Sequence, residues 1–200
     1  MFGKAFNKNY LKYIMMILVV FNLYPSGNKL DVETDEATID FNNEEFTADG
    51  GVTFVYPNAD AEKTAKIKAY KLKKMTDKNL VLASDGVIFE QGENKVEAEE
   101  IYFNLDNQNL KVRNGISYVK VDGAPELNNK IYYGGEEFLA QFPDEAHVKN
   151  AWFTTSKEAL KLKTFEDKPE DILPYHLKEK KISIYPGKKL IIRDTCRYDC

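Results

Sequence analysis

The side chains that could perform acid–base or metal chemistry are few in this chain. Its two histidines, His147 and His176, stand in no H-x-H or H-E-x-x-H spacing, and there is no paired C-x-x-C for a metal. Glu44 and Glu45, Glu99 and Glu100, and Glu136 and Glu137 are adjacent carboxylates, the residue type that glycoside hydrolases use as acid and base. Neighbours in a strand point to opposite faces, so these pairs predict turns and solvent faces instead. No G-x-S-x-G nucleophile elbow occurs. Cys196 and Cys200 lie about 13 Å apart in an extended strand, too far for a disulfide without a turn, and they match no motif. The pattern argues against an enzyme, a metal site or a cofactor. A carbohydrate-active enzyme on a jelly-roll scaffold would need a carboxylate pair facing a cleft.

What remains is apolar chemistry, and the elements that position it repeat. In "VEAEEIYFNLDNQNLKVRNGISY", Ile101 and Phe103 sit two apart, a polar bend follows, and Leu110, Val112, Ile116 and Tyr118 return at even spacing. That is a strand, a turn and a strand. The outline recurs in five hairpins, with landmarks Ile39 and Val52, Leu72 and Val87, Ile101 and Ile116, Phe138 and Phe153, and Ile182 and Thr195, separated by 13, 15, 15, 15 and 13 residues. Spacings that differ by two keep inward side chains inward. "DGG" at 49–51, "SDG" at 84–86 and "RNG" at 113–115 mark bends or bulges, and Glu99–Glu100 shift the alternation by one residue, as a bulge does. Pro186 and Gly187 predict a type II turn. Units that cannot bury an apolar face alone stack on their neighbours. The product is all-β: a β-sandwich, jelly roll or solenoid.

Lys4, Lys8 and Lys12 precede "YIMMILVVF", an uncharged apolar run of nine. This is the layout of a secretory signal, too short for an ordinary membrane span. Residues 1–27 therefore predict a signal peptide or membrane anchor, and residues 28–200 one β domain. Without residues 1–27 the net charge moves from −4 to −7, because three Lys and no acids leave. The basic pieces "KLKK", "KEKK" and "GKK" read as solvated outward faces, and a nucleic-acid partner is not expected.

The ordered set of these repeats, with "NAWFTTS" and "YHLKEKKISIYPGKKLIIRD", resembles the organic-solvent-tolerance (OstA-like) domain of the lipopolysaccharide transport proteins. The likeness is greatest to the periplasmic N-terminal part of the outer-membrane lipopolysaccharide-assembly protein, over roughly residues 30–195. In those relatives "FTT" is commonly followed by Cys, where this chain has Ser156, and a transmembrane barrel follows the domain, where this sequence stops at Cys200. The resemblance implies an open β-jelly roll of repeated antiparallel hairpins, periplasmic and associated with the outer membrane, whose interior holds the acyl chains of lipopolysaccharide or a similar amphiphile. It also implies edge-strand pairing with other jelly-roll domains, near residues 30–41 and 182–195. The inward residues assigned to lipid are Ile39, Phe41, Val52, Phe54, Ile101, Phe103, Val112 and Tyr118. The alternative is a periplasmic or membrane-anchored scaffold that bridges partner jelly rolls without carrying lipid.

Overall fold

Alternating apolar and polar residues, with Val, Ile, Phe and Tyr abundant, build a single antiparallel sheet. The computed structural model describes residues 31–40, 42–60, 63–75, 77–120, 130–142, 144–162, 176–185 and 189–193. Its strands are β1 (Asp31–Glu33), β2 (Glu36–Asp40), β3 (Glu45–Tyr56), β4 (Ala65–Met75), β5 (Leu80–Gln91), β6 (Asn94–Asn104), β7 (Leu110–Lys120), β8 (Lys130–Gln141), β9 (Glu145–Thr154), β10 (Leu177–Tyr185) and β11 (Lys189–Arg193). From β3 onward each strand pairs with the next, while β1 and β2 both pair with β3. The five hairpins expected from the repeats are alternate turns of this meander, β2–β3, β4–β5, β6–β7, β8–β9 and β10–β11.

The long strands are bent, and the bends fall on one line across the sheet. Gly50 and Gly51 of β3 stand opposite Tyr70 alone, and Asp85 and Gly86 of β5 opposite Glu99 alone. Both glycine sites have positive φ, which a bulge of this kind requires. In β6, burial follows Val96 and Ala98, then Ile101 and Phe103, so the alternation shifts across Glu99–Glu100 as the sequence predicts. Asn114 and Asn150 also adopt positive φ, and their amides donate to Glu99 Oε2 and Glu136 Oε2, each at 2.6 Å. Lys71 pairs with Asp85 at 3.1 Å on the same line. The adjacent acidic pairs at 99–100 and 136–137 thus belong to a polar ladder along the crease.

The crease divides the sheet into two wings. The upper wing holds β2, the first halves of β3, β5, β7 and β9, the second halves of β4, β6, β8 and β10, and β11; the lower wing holds β1 and the remaining halves. The two wings close on one apolar core that takes side chains from both. Burying each large side chain in it contributes about 1.5–3 kcal/mol.

Several expectations change at the bends. The landmark pairs are not cross-strand partners: Ile101 pairs with Val112, Leu72 with Ala83, and Phe138 with Val148. Their spacing of 15 measures the chain from one bend to the next. Inward residues also do not all stay inward. Beyond Asn114 the parity of β7 reverses, so Ser117 and Val119 face the core while Ile116 and Tyr118 face out. A one-residue shift is enough to flip every later side chain. Ile116 joins an outer cluster with Tyr132, Trp152, Ala159 and Leu162, against which Tyr118 packs under a short 3₁₀ helix, Lys157–Lys161. Gly134 is required there, because a Cβ would lie 2.5 Å from the Trp152 ring. Lys74 of "KLKK" points inward and is only 2% exposed. The segments 1–30 and 194–200, the turn at 186–188 and Phe41 lie outside the described residues.

Candidate lipid-binding interior

Strand alternation places a continuous row of apolar side chains on the inner face of each wing. Val52, Phe54, Ile101, Phe103 and Val112 all belong to the core, each at most 1% exposed, and Ile39 packs against its rim. Tyr118 does not join them, for the parity reason above. Once the bends are counted, the same alternation adds Phe46, Leu72, Phe89, Phe138, Val148 and Ile182, which were not assigned from the sequence.

The wings touch across the interior through aromatic rings. Phe103 of the upper wing meets Phe89 and Tyr56 of the lower, at centroid distances of 5.7 and 5.8 Å. Phe142, in the turn between β8 and β9, stacks on Phe89 at 6.1 Å. Opposite the crease, the tips of the hairpins meet along a seam. There the Tyr56 hydroxyl donates to the Leu105 carbonyl at 3.0 Å, and Gln91 Nε2 donates to Gln108 Oε1 at 3.3 Å.

Three polar groups sit inside this apolar space. Burial pulls the Lys74 ammonium below its usual pKa. The Tyr133 phenol, also buried, is pushed up to about 12, with Ser117 partly offsetting the effect. Gln91 is 2% exposed, and its Nε2 also donates to the Lys63 carbonyl at 2.9 Å.

The interior runs from one edge of the described sheet to the other. At the first edge Val32, Ala37 and Ile39 are partly exposed rim residues. At the other, Leu177 faces inward beside Phe153 and Ile192 beside Ile182, with 47% and 37% exposure. The edges themselves, β1 with β2 and β11, are the terminal strands of the described sheet.

A concavity of about 800 Å³ lies on the outer face of the upper wing, lined by Tyr102, Leu139, Lys111, Arg113 and His147 among others. Its cations are already matched: Lys111 pairs with Glu137 at 3.0 Å and Arg113 with Glu100 at 3.4 Å. Contacts to Lys149 and Lys111 hold the Glu137 carboxyl below its usual pKa. His147 Nδ1 lies 2.9 Å from Ser183 Oγ and its Nε2 3.5 Å from Glu145 Oε2, the composition of an acyl-transfer triad. Ser183 is only 3% exposed and does not line the groove, so its hydroxyl has no path to a substrate. Among the described residues no group of three or more His, Cys, Asp or Glu is placed to hold a metal, and no helix is long and apolar enough to cross a membrane.

No family model and no curated protein matches the chain. Among solved structures, one that it resembles is LptH from Pseudomonas aeruginosa, described as the LptA-homologous periplasmic component of the conserved lipopolysaccharide transport device. The two are 15% identical over 42% of this chain and 81% of that one, with a TM-score of 0.32. A likeness of that size decides nothing about function.

Proposed function

We propose that this protein is a periplasmic carrier of lipopolysaccharide or a similar amphiphile, taking part in outer-membrane assembly, with acyl chains held between the two wings. The observation that supports this reading most is an apolar interior that crosses the whole sheet and leaves Leu177 and Ile192 uncovered at one end. An ordinary closed sandwich has no use for inward aliphatic side chains at an open rim, whereas a slide does. A buried methylene gains about 0.8 kcal/mol without regard to sequence, so such an interior suits chains that must move. Neighbouring jelly rolls would extend it by pairing with the free edges at β1, β2 and β11.

Lipid extracted from protein purified out of the periplasm tests the reading by mass spectrometry. Acylated amphiphile in stoichiometric amount is the expected result. Folded, exported protein that carries none, but still binds a jelly-roll partner, would make it a scaffold instead.

A further inference from the structure

The packed interior raises a question of access. Phe89, Phe103, Tyr56 and Phe142 fill the space between the wings, so a bound chain requires the wings to part. Along the crease they cannot, because the strands run through it as continuous, paired backbone. The opposite side is a seam of hairpin tips, where the named cross-wing polar contacts are the side-chain hydrogen bonds of Tyr56 and Gln91 to the 105–108 turn. An amphiphile must also keep its polar head in water while its chains are inside, since burying unpaired polar groups is costly.

Resting on the carrier reading above, we propose that this seam is the polar-head site. The amphiphile enters there laterally, its head projects between the tips, and Gln91 Oε1 accepts a hydrogen bond from a hydroxyl or secondary amide where chain joins head. Gln91 is buried with both amide hydrogens spent, on the Lys63 carbonyl and on Gln108, and that geometry fixes which way the amide points. Its Oε1 is left without a partner among the described residues. A buried amide oxygen is rarely left unpaired, and one at the inner rim of the seam is placed for a donor at the chain–head junction. The groups that meet it, a phenol and two amides, are neutral, so the junction they suit is a hydroxyl or amide rather than a phosphate. The 105–108 turn is braced within itself, because Asn104 Oδ1 accepts from the Asp106 and Asn107 amides at 2.9 and 3.1 Å.

The test locks the seam after folding. In a chain with Cys196→Ser and Cys200→Ser, the substitutions Gln91→Cys and Gln108→Cys are bridged by a short bis-maleimide, and uptake of acyl-labelled lipopolysaccharide is compared with and without the bridge. The bridged protein should load at least tenfold more slowly, with its circular dichroism unchanged. Equal loading would mean entry through the open ends and would overturn the seam while leaving the carrier reading in place. No loading of either form, or of the unsubstituted protein, would overturn both. Separately, Gln91→Leu should weaken binding of an N-acyl glucosamine lipid about fivefold, the worth of one hydrogen bond, and leave its N-methylated analogue unchanged. An equal effect on the two lipids, or none on either, would remove Gln91 from the site.

Discussion

Phe103 and Tyr102 are adjacent in β6, yet the first is fully buried between the wings and the second lines the outer groove. A photo-reactive residue at 103 should therefore crosslink to lipopolysaccharide in cells and one at 102 should not; equal crosslinking would put the register in error. Phe103→Ala should cost about 3–5 kcal/mol by urea unfolding, and Tyr102→Ala far less. Lys74 offers a different measurement. Its folded-state pKa lies below the ordinary 10.5, so at neutral pH burial of the charged ammonium weighs against the fold. That cost falls as pH rises through the folded value toward the unfolded one. Lys74→Met should thus stabilise the protein by about 1 kcal/mol at pH 7, with the gain shrinking as the pH approaches 10.5. A gain that grew with pH would contradict a depressed pKa. Phe103 was legible from parity alone, because no bend separates it from Ile101. Lys74 was not: a lysine in a run of lysines gives no sign that one of them has crossed to the inner face.

At the scale of the strand, the bend decides what a sequence reader can see. "DGG" and "SDG" announce their bulges through glycine, and Ala98 to Ile101 announces its own through spacing. The second half of β7 misleads, since Asn114 takes the positive φ that Gly115 advertises, and Ile116 and Tyr118 land on the outer cluster. "KNA" at 149–151 carries the same Asn device with no glycine, and only its amide bond to Glu136 betrays it. Two outcomes follow at this scale. Gly134→Ala should destabilise the outer cluster and shift the Trp152 fluorescence, because its Cβ would meet the indole ring. Proline placed in turn at each of residues 189–193 should abolish association with a jelly-roll partner at alternate positions, where the edge N–H points away from β10. Uniform effects along β11 would mean that the strand is not the docking edge.

For the molecule as a whole, the all-β hairpin architecture was readable because the apolar period and the turn residues agree over most of the chain. How the wings meet was not, since contacts such as Tyr56 to Leu105 span 49 residues and leave no local trace. Export belongs to this scale too: residues 1–27 fused to a periplasm-dependent reporter should restore its activity, and a cytoplasmic reporter would remove the periplasmic setting from the proposal.

The collinear crease carries a consequence for size. From β3 to β9 each strand spends a similar stretch of chain on either side of the fold line, so adjoining strands are alike in outline, and the ten strands on the described sheet's path add up to a length of about 43 Å at 4.8 Å per step. Such a body has a cross-section set by the bend spacing and a length set by arithmetic. Excising a strand pair such as residues 80–109 would shorten the trough by two steps, about 10 Å, and bring β4 beside β7 in the same antiparallel sense, whereas inserting a single residue ahead of one bend would throw that strand's fold line out of alignment with all the others.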